Sequence, residues 1–112
     1  MSTAAGLQVT SQTTEQGLRV TVVGELDLAS APRLSTALTP EAQGASEVVL
    51  DLERVSFIDS SALRALVVAG RNLAEAGIKL QIGPRSEVVA RVLEITQLDQ
   101  QTEAFQVLPE PT

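Results

Sequence analysis

The sequence predicts a single α/β domain over residues 1–112, with its core from about 7 to 108, built on a mixed β-sheet. Three observations carry that expectation. Two alternating apolar segments near the start lie close enough to pair as an antiparallel hairpin. Segments with a helical apolar stripe separate every later strand. The length suffices for one hydrophobic core and not for two. That core must be aliphatic, because 44% of the residues are hydrophobic while the only aromatic residues are two phenylalanines.

Leu7 to Thr13 alternates weakly and Leu18-Arg19-Val20-Thr21-Val22 alternates well, with Glu15-Gln16-Gly17 turning between them. Gly24-Glu25-Leu26-Asp27-Leu28-Ala29 is expected to leave the strand. Ser30 followed by Pro32 resembles a helix start, and Leu34, Ala37 and Leu38 supply a short apolar stripe up to Pro40. Pro40 to Ser46 has the composition of a loop. Val48-Val49-Leu50, inside Glu47 to Leu52, is a continuous apolar run, as expected of a strand covered on both faces.

Asp59 to Ala76 carries the strongest helical pattern, with Leu63, Leu66, Val67, Gly70, Leu73 and Ala74 on one stripe and Gly77 as its stop. Ile78, Leu80 and Ile82 alternate with Lys79 and Gln81 in a strand that ends at Gly83-Pro84. Ser86 caps a further helix whose Val88, Val89, Val92 and Leu93 face inward. Phe105, Val107 and Leu108 form a last short strand. The order is β-β-α-β-α-β-α-β. Right-handed crossovers then make the later strands parallel, beside the antiparallel opening hairpin.

Composition removes several classes of function. A net charge of −6, without a basic cluster, argues against nucleic acid as a partner. No segment reaches the ~20 apolar residues of a membrane span, and Met-Ser-Thr-Ala-Ala-Gly-Leu-Gln lacks the form of a signal peptide. A cytoplasmic protein without membrane insertion is therefore expected. With no histidine and no cysteine, a self-contained Ser-His-Asp or Cys-His enzyme is excluded. Neither a metal nor a cofactor is expected.

The remaining chemistry lies at helix starts. With Asp59 as N-cap, Ser60 falls near the border of the apolar stripe, and Ser61 falls on the solvent side with Arg64, Arg71, Asn72 and Glu75. Asp-Ser-Ser before an apolar-periodic segment is ordinary capping chemistry, Asp59 accepting from the N–H of Ser61 or Ala62. The same first turn has unpaired N–H groups, and its dipole favours an anion by about 0.3–1 kcal/mol. A capping aspartate and a modified serine are compatible. Val68 sits in the middle of the solvent side, as a solitary exposed valine or as the rim of a contact surface with Ser61, Arg64 and Asn72. Glu25 and Asp27 read as a solvated turn with local Asx capping rather than an acid-base pair, since no metal partner or second base accompanies them. Both segments follow strand ends and are expected on one rim.

At these residues the sequence resembles the STAS domain of the bacterial anti-sigma factor antagonists, over roughly residues 7 to 108. Gly24-Glu25-Leu26-Asp27, Val48-Val49-Leu50-Asp51-Leu52 and Val55-Ser56-Phe57-Ile58-Asp59-Ser60-Ser61-Ala62-Leu63 carry the resemblance, in that order. It implies a phospho-regulated binding module with Ser60, the first serine after the aspartate, as phosphoacceptor. The kinase would be an anti-sigma factor that uses ATP. That partner is bound by the unphosphorylated form and set free by the phosphorylated one, and a metal-dependent serine phosphatase restores binding. The implied partner surface comprises Gly24, Glu25, Leu26, Asp27, Asp59, Ser60, Ser61 and Arg64. Two departures stand out: Ala62 occupies a position where many members carry glycine, and no helix follows the last strand before Leu-Pro-Glu-Pro-Thr. The alternative is a cytosolic STAS accessory subunit of a membrane transporter, in which the helix start is a docking surface and Ser60 need not be modified; the intact Asp-Ser-Ser favours the antagonist.

Overall fold

In the computed structural model the described residues are 6–15, 17–41, 44–98 and 104–109, with 39–41 described by their backbone only. They form β1 (Leu7–Thr13), β2 (Gly17–Leu26), α1 (Ala31–Glu41), β3 (Glu47–Ile58), α2 (Ser60–Glu75), β4 (Lys79–Arg85), α3 (Glu87–Ile95) and β5 (Gln106–Val107). The five strands lie side by side in chain order. β1 and β2 are antiparallel and every later neighbour is parallel, so the predicted element order and mixed sheet are what the chain adopts. A tight turn fixes the hairpin register: the Thr14 N–H donates to the Gly17 carbonyl at 2.8 Å, and Thr13 faces Leu18.

Alternate residues of the central strands are buried: Leu18, Val20 and Val22 of β2, Val48, Leu50 and Leu52 of β3, Leu80 and Ile82 of β4. Leu34 and Leu38 of α1 and Leu63, Leu66 and Leu73 of α2 complete the same cluster. The opposite alternation carries Arg19, Asp51 and Gln81, and Arg19 Nη2 holds Asp51 Oδ2 at 2.6 Å. Val49 lies on that side and is only half-buried, so β3 is not covered on both faces as its apolar run predicts. Parallel pairing here coexists with a sheet face that keeps polar groups in reach of water.

β2 and β3 both outrun their predicted ends. Gly24, Glu25 and Leu26 stay in β2, because Glu25 pairs with Phe57 and Leu26 with Ile58 beyond two register shifts. Such shifts alter which side chains face inward. In β3 the buried positions pass from every second residue to Leu52, Val55 and Ile58, which erases the period-two signal. Asp59 therefore follows Ile58 directly and not a strand ending at Leu52. At Gly24, with φ of 117°, an added Cβ would run into the Gly6 carbonyl oxygen, so only glycine fits. β4 likewise continues through Pro84 to Arg85: the register steps from Leu50–Ile82 to Leu52–Arg85, and the proline, which has no N–H, falls within that step.

The helices differ from their patterns in phase more than in position. α1 runs one residue past Pro40, to Glu41. α2 buries Ala62, Leu63, Leu66, Ala69, Gly70 and Leu73, whereas Val67 is half-buried and Ala74 is exposed. Gly70 is where α2 meets the chain near Ala104; an added Cβ would strike the Ala104 carbonyl oxygen. α3 is capped as expected, Ser86 Oγ accepting the Val89 N–H at 3.4 Å. Val89 and Leu93 are buried, with Val88 and Val92 packed beside them. Phe105 is buried just ahead of β5, and the Leu108 N–H donates to the Ile82 carbonyl at 2.8 Å just after it. The expectation about the chain after the last strand falls on 110–112, outside the described residues. No helix among the described residues is long and apolar enough to cross a membrane.

Candidate functional site

Leu26 and Ile58 end adjacent parallel strands, both buried, so the two chains leave the sheet together at one edge. One passes through Asp27 to Ser30 into α1; the other enters α2 at once. The two departures are bound to each other. The Asp59 N–H donates to the Leu26 carbonyl at 3.1 Å. Asp59 Oδ1 accepts the Ala62 N–H at 2.9 Å and caps α2 through Ala62 rather than Ser61. Its second oxygen, Oδ2, accepts the Leu28 N–H at 3.2 Å. One carboxylate thus ties the start of α2 to the turn that precedes α1.

That turn is closed reciprocally. Asp27 Oδ1 accepts the Ser30 N–H at 2.9 Å, and Ser30 Oγ accepts the Asp27 N–H at 2.9 Å. The Ser30 hydroxyl lies 2.8 Å from the Glu25 carbonyl oxygen, to which it donates. This is capping-box logic with a serine in the returning position. Asp27 opens this turn, and α1 begins right after Ser30, at Ala31, as the serine-led pattern predicts. The Asp27 carboxylate is occupied by the turn, as the Asx pattern predicts, and Glu25 beside it is exposed.

The two serines exchange the places the helical pattern assigns them. Ser60 is exposed, and Ser61 is half-buried along a groove between α1 and α2 that also includes Leu28, Ala31, Arg64, Ala65 and Val68. The cause is the phase of α2: with Ala62 and Ala69 buried, its inner face turns toward α1, against which it packs. Small alanines left that phase open in the sequence. Leu26 is wholly buried and shapes the rim from beneath, so its side chain is not offered to a partner, in contrast to its place in the implied surface. Gly24 is half-buried, whereas Glu25, Ser60 and Arg64 are exposed and Asp27 and Asp59 half-exposed on one rim. Ala62 is wholly buried with its N–H on Asp59, so alanine fills this position while the cap forms.

Leu28 was not singled out by the sequence pattern. It is the most exposed large apolar side chain among the described residues, at 73%. Its signal was available only as a leucine inside a turn-rich segment. No group of three or more acidic residues that could hold a metal occurs among the described residues.

The chain with this mixed sheet and these paired helix starts matches the STAS domain family over residues 8–110. The chain belongs to that family. The "Anti-sigma-B factor antagonist" of Staphylococcus aureus is 34% identical over 93 residues, which cover 82% of this chain and 86% of the relative. The protein of the same name from Bacillus subtilis is 32% identical over 84 residues, 75% and 77% of the two chains. The crystal structure of an anti-sigma factor antagonist from Mycobacterium paratuberculosis superposes with a TM-score of 0.75 at 25% identity, covering 97% of this chain and 91% of the other.

Proposed function

We propose that the protein is an anti-sigma factor antagonist whose rim binds an anti-sigma factor while Ser60 is unmodified and lets it go once Ser60 is phosphorylated. The anti-sigma factor is itself the serine kinase, and a serine phosphatase reverses the modification. The observation that carries this reading is an exposed Ser60 immediately after Asp59, on the first residue of α2, within a rim that already holds Glu25 and Asp27.

Phosphorylation would add about −1.5 to −2 charges and a bulky acceptor group there. Inside the domain the first turn of α2 tolerates that charge, because its N–H groups and dipole favour an anion by about 0.3–1 kcal/mol. Across an interface the same group excludes a close-packed partner and repels its carboxylates. Binding changes, and folding does not.

The test uses the purified anti-sigma factor of the source organism with wild type, Ser60→Ala and Ser60→Asp, read by titration calorimetry. Wild type and Ser60→Ala bind alike, and Ser60→Asp binds at least about tenfold more weakly, a difference of ~1.4 kcal/mol. Intact-mass analysis after incubation with the partner and ATP shows one phosphate on wild type and none on Ser60→Ala. Equal affinity for all three proteins would end the proposal.

A further inference from the structure

We propose that the groove between α1 and α2 receives an amphipathic helix of the binding partner, which brings an apolar stripe to Leu28, Ala65 and Val68 and a carboxylate to Arg64. This rests on the protein-binding role proposed above and assigns the part of the surface that supplies affinity, as distinct from the serine that switches it.

Large apolar side chains exposed among the described residues are few: Leu28, Phe57, Val68 and Ile95. Leu28 and Val68 stand on the same groove, a space of about 530 Å³. Between them the lining is small, with Ala31, Ser61 and Ala65, so a partner backbone can approach closely. Two helices form the walls, and the groove is not an open strand edge. The recognition mode that fits such a trough is a helix laid into it, with anchors at helical spacing.

Leu28 is held in place. Its own N–H is fixed on Asp59 Oδ2, and the turn around it is closed by the Asp27 and Ser30 side chains. An apolar side chain projected from a locked turn loses little freedom when a partner covers it, which is the condition for an efficient anchor. Asp59 is thereby the positioning residue for Leu28 as well as the cap of α2.

Charge selects the occupant. The sequence has 14 acidic and 8 basic residues, yet among the described residues the groove lining holds no acid and a single charged group, Arg64. The Arg64 side chain makes no hydrogen bond or ion pair among the described residues. A carboxylate on the partner helix completes it, while Glu25, Asp27 and Asp59 on the rim call for a basic residue at the adjoining end. Ser61 lines the groove and Ser60 precedes it, so a phosphate on Ser60 sits where the docked helix meets the rim.

The experiment measures affinity for the same purified anti-sigma factor, using full-length Leu28→Ser, Val68→Asp and Arg64→Glu, with Phe57→Ser as the control. Each groove variant is expected to bind about tenfold or more weakly with a thermal midpoint close to wild type, and the control to bind normally. Exchanging a partner carboxylate for lysine should restore binding to Arg64→Glu. A photo-crosslinker at position 68 should capture a helical segment of the partner. If Ser60→Asp weakens binding but all three groove variants bind as wild type does, the docking site is overturned while the switch stands. Weakening by the groove variants with no effect of Ser60→Asp supports the docking site and removes the switch. Capture of a second copy of this chain, or of a non-helical partner segment, at position 68 overturns the inference.

Discussion

α2 and α3 begin by the same device and end up with different capacities. Each follows a parallel strand, and each N-cap donates its N–H to a neighbouring strand, Asp59 to the Leu26 carbonyl and Ser86 to the Leu52 carbonyl, both at 3.1 Å. Ser86 then serves its own helix alone, through one 3.4 Å contact to Val89. Asp59 has a second oxygen and spends it on Leu28, so its cap also joins two turns distant in sequence. The first turn of α3 already contains an acid, Glu87, whereas the first turn of α2 contains none and offers serine hydroxyls instead. Each start thus has one carboxylate near its dipole, on the cap of α2 and on the first residue of α3, and of the two α2 alone adds an exposed serine hydroxyl in its first turn.

Removing the caps should separate the two starts most sharply. Asp59→Ala loses two backbone partners and should cost about 2 kcal/mol in denaturant unfolding, at the upper end for an N-cap, and should also weaken partner binding by freeing Leu28. Ser86→Ala should cost only about 1 kcal/mol and leave binding unchanged. If the two substitutions cost the same and both spare binding, the bridging role of Asp59 is lost.

Replacing only part of Asp59 sharpens the contrast further. Asp59→Asn keeps one oxygen to cap the Ala62 N–H but turns an NH2 donor toward the Leu28 N–H, so stability should recover in part relative to alanine while partner affinity stays low. The smallest effect tests the first turn of α2. Ser60→Asp should move the thermal midpoint by no more than about 2 °C, since an acid in the first turn of α2 is tolerated. Val88→Asp in α3 should lower it clearly, because Val88 is packed beside the core. A large loss of stability in Ser60→Asp would contradict the separation of switching from folding.

Much of the fold could be read from residue order. The hairpin followed by α-separated strands, the cap at Asp59 and the cap at Ser86 each depend on neighbours within a few positions, and local spacing reports them well. The ends of β2 and β3 could not be read, because their register shifts broke the alternation that marks a strand. The phase of α2 was also hidden: Ala62 and Ala69 are buried, yet alanine is equally at home on either face. That ambiguity exchanged the apparent positions of Ser60 and Ser61. The candidate site could be named as a set of residues, Asp27, Asp59, Ser60 and Arg64, but not as an arrangement; neither the Asp59 contact to Leu28 nor the groove has any periodic signature.

By itself the sequence determined which segments are strands and helices, which aliphatic residues can form a core, and which catalytic chemistries are missing, because composition and short-range period encode those directly. Packing alone decided which serine meets solvent and which leans toward α1. It also decided that a leucine in a turn would be clamped outward by an aspartate 31 residues away. Such a contact exists only after two strands lie side by side, and the pairing that aligns them is a property of the folded sheet.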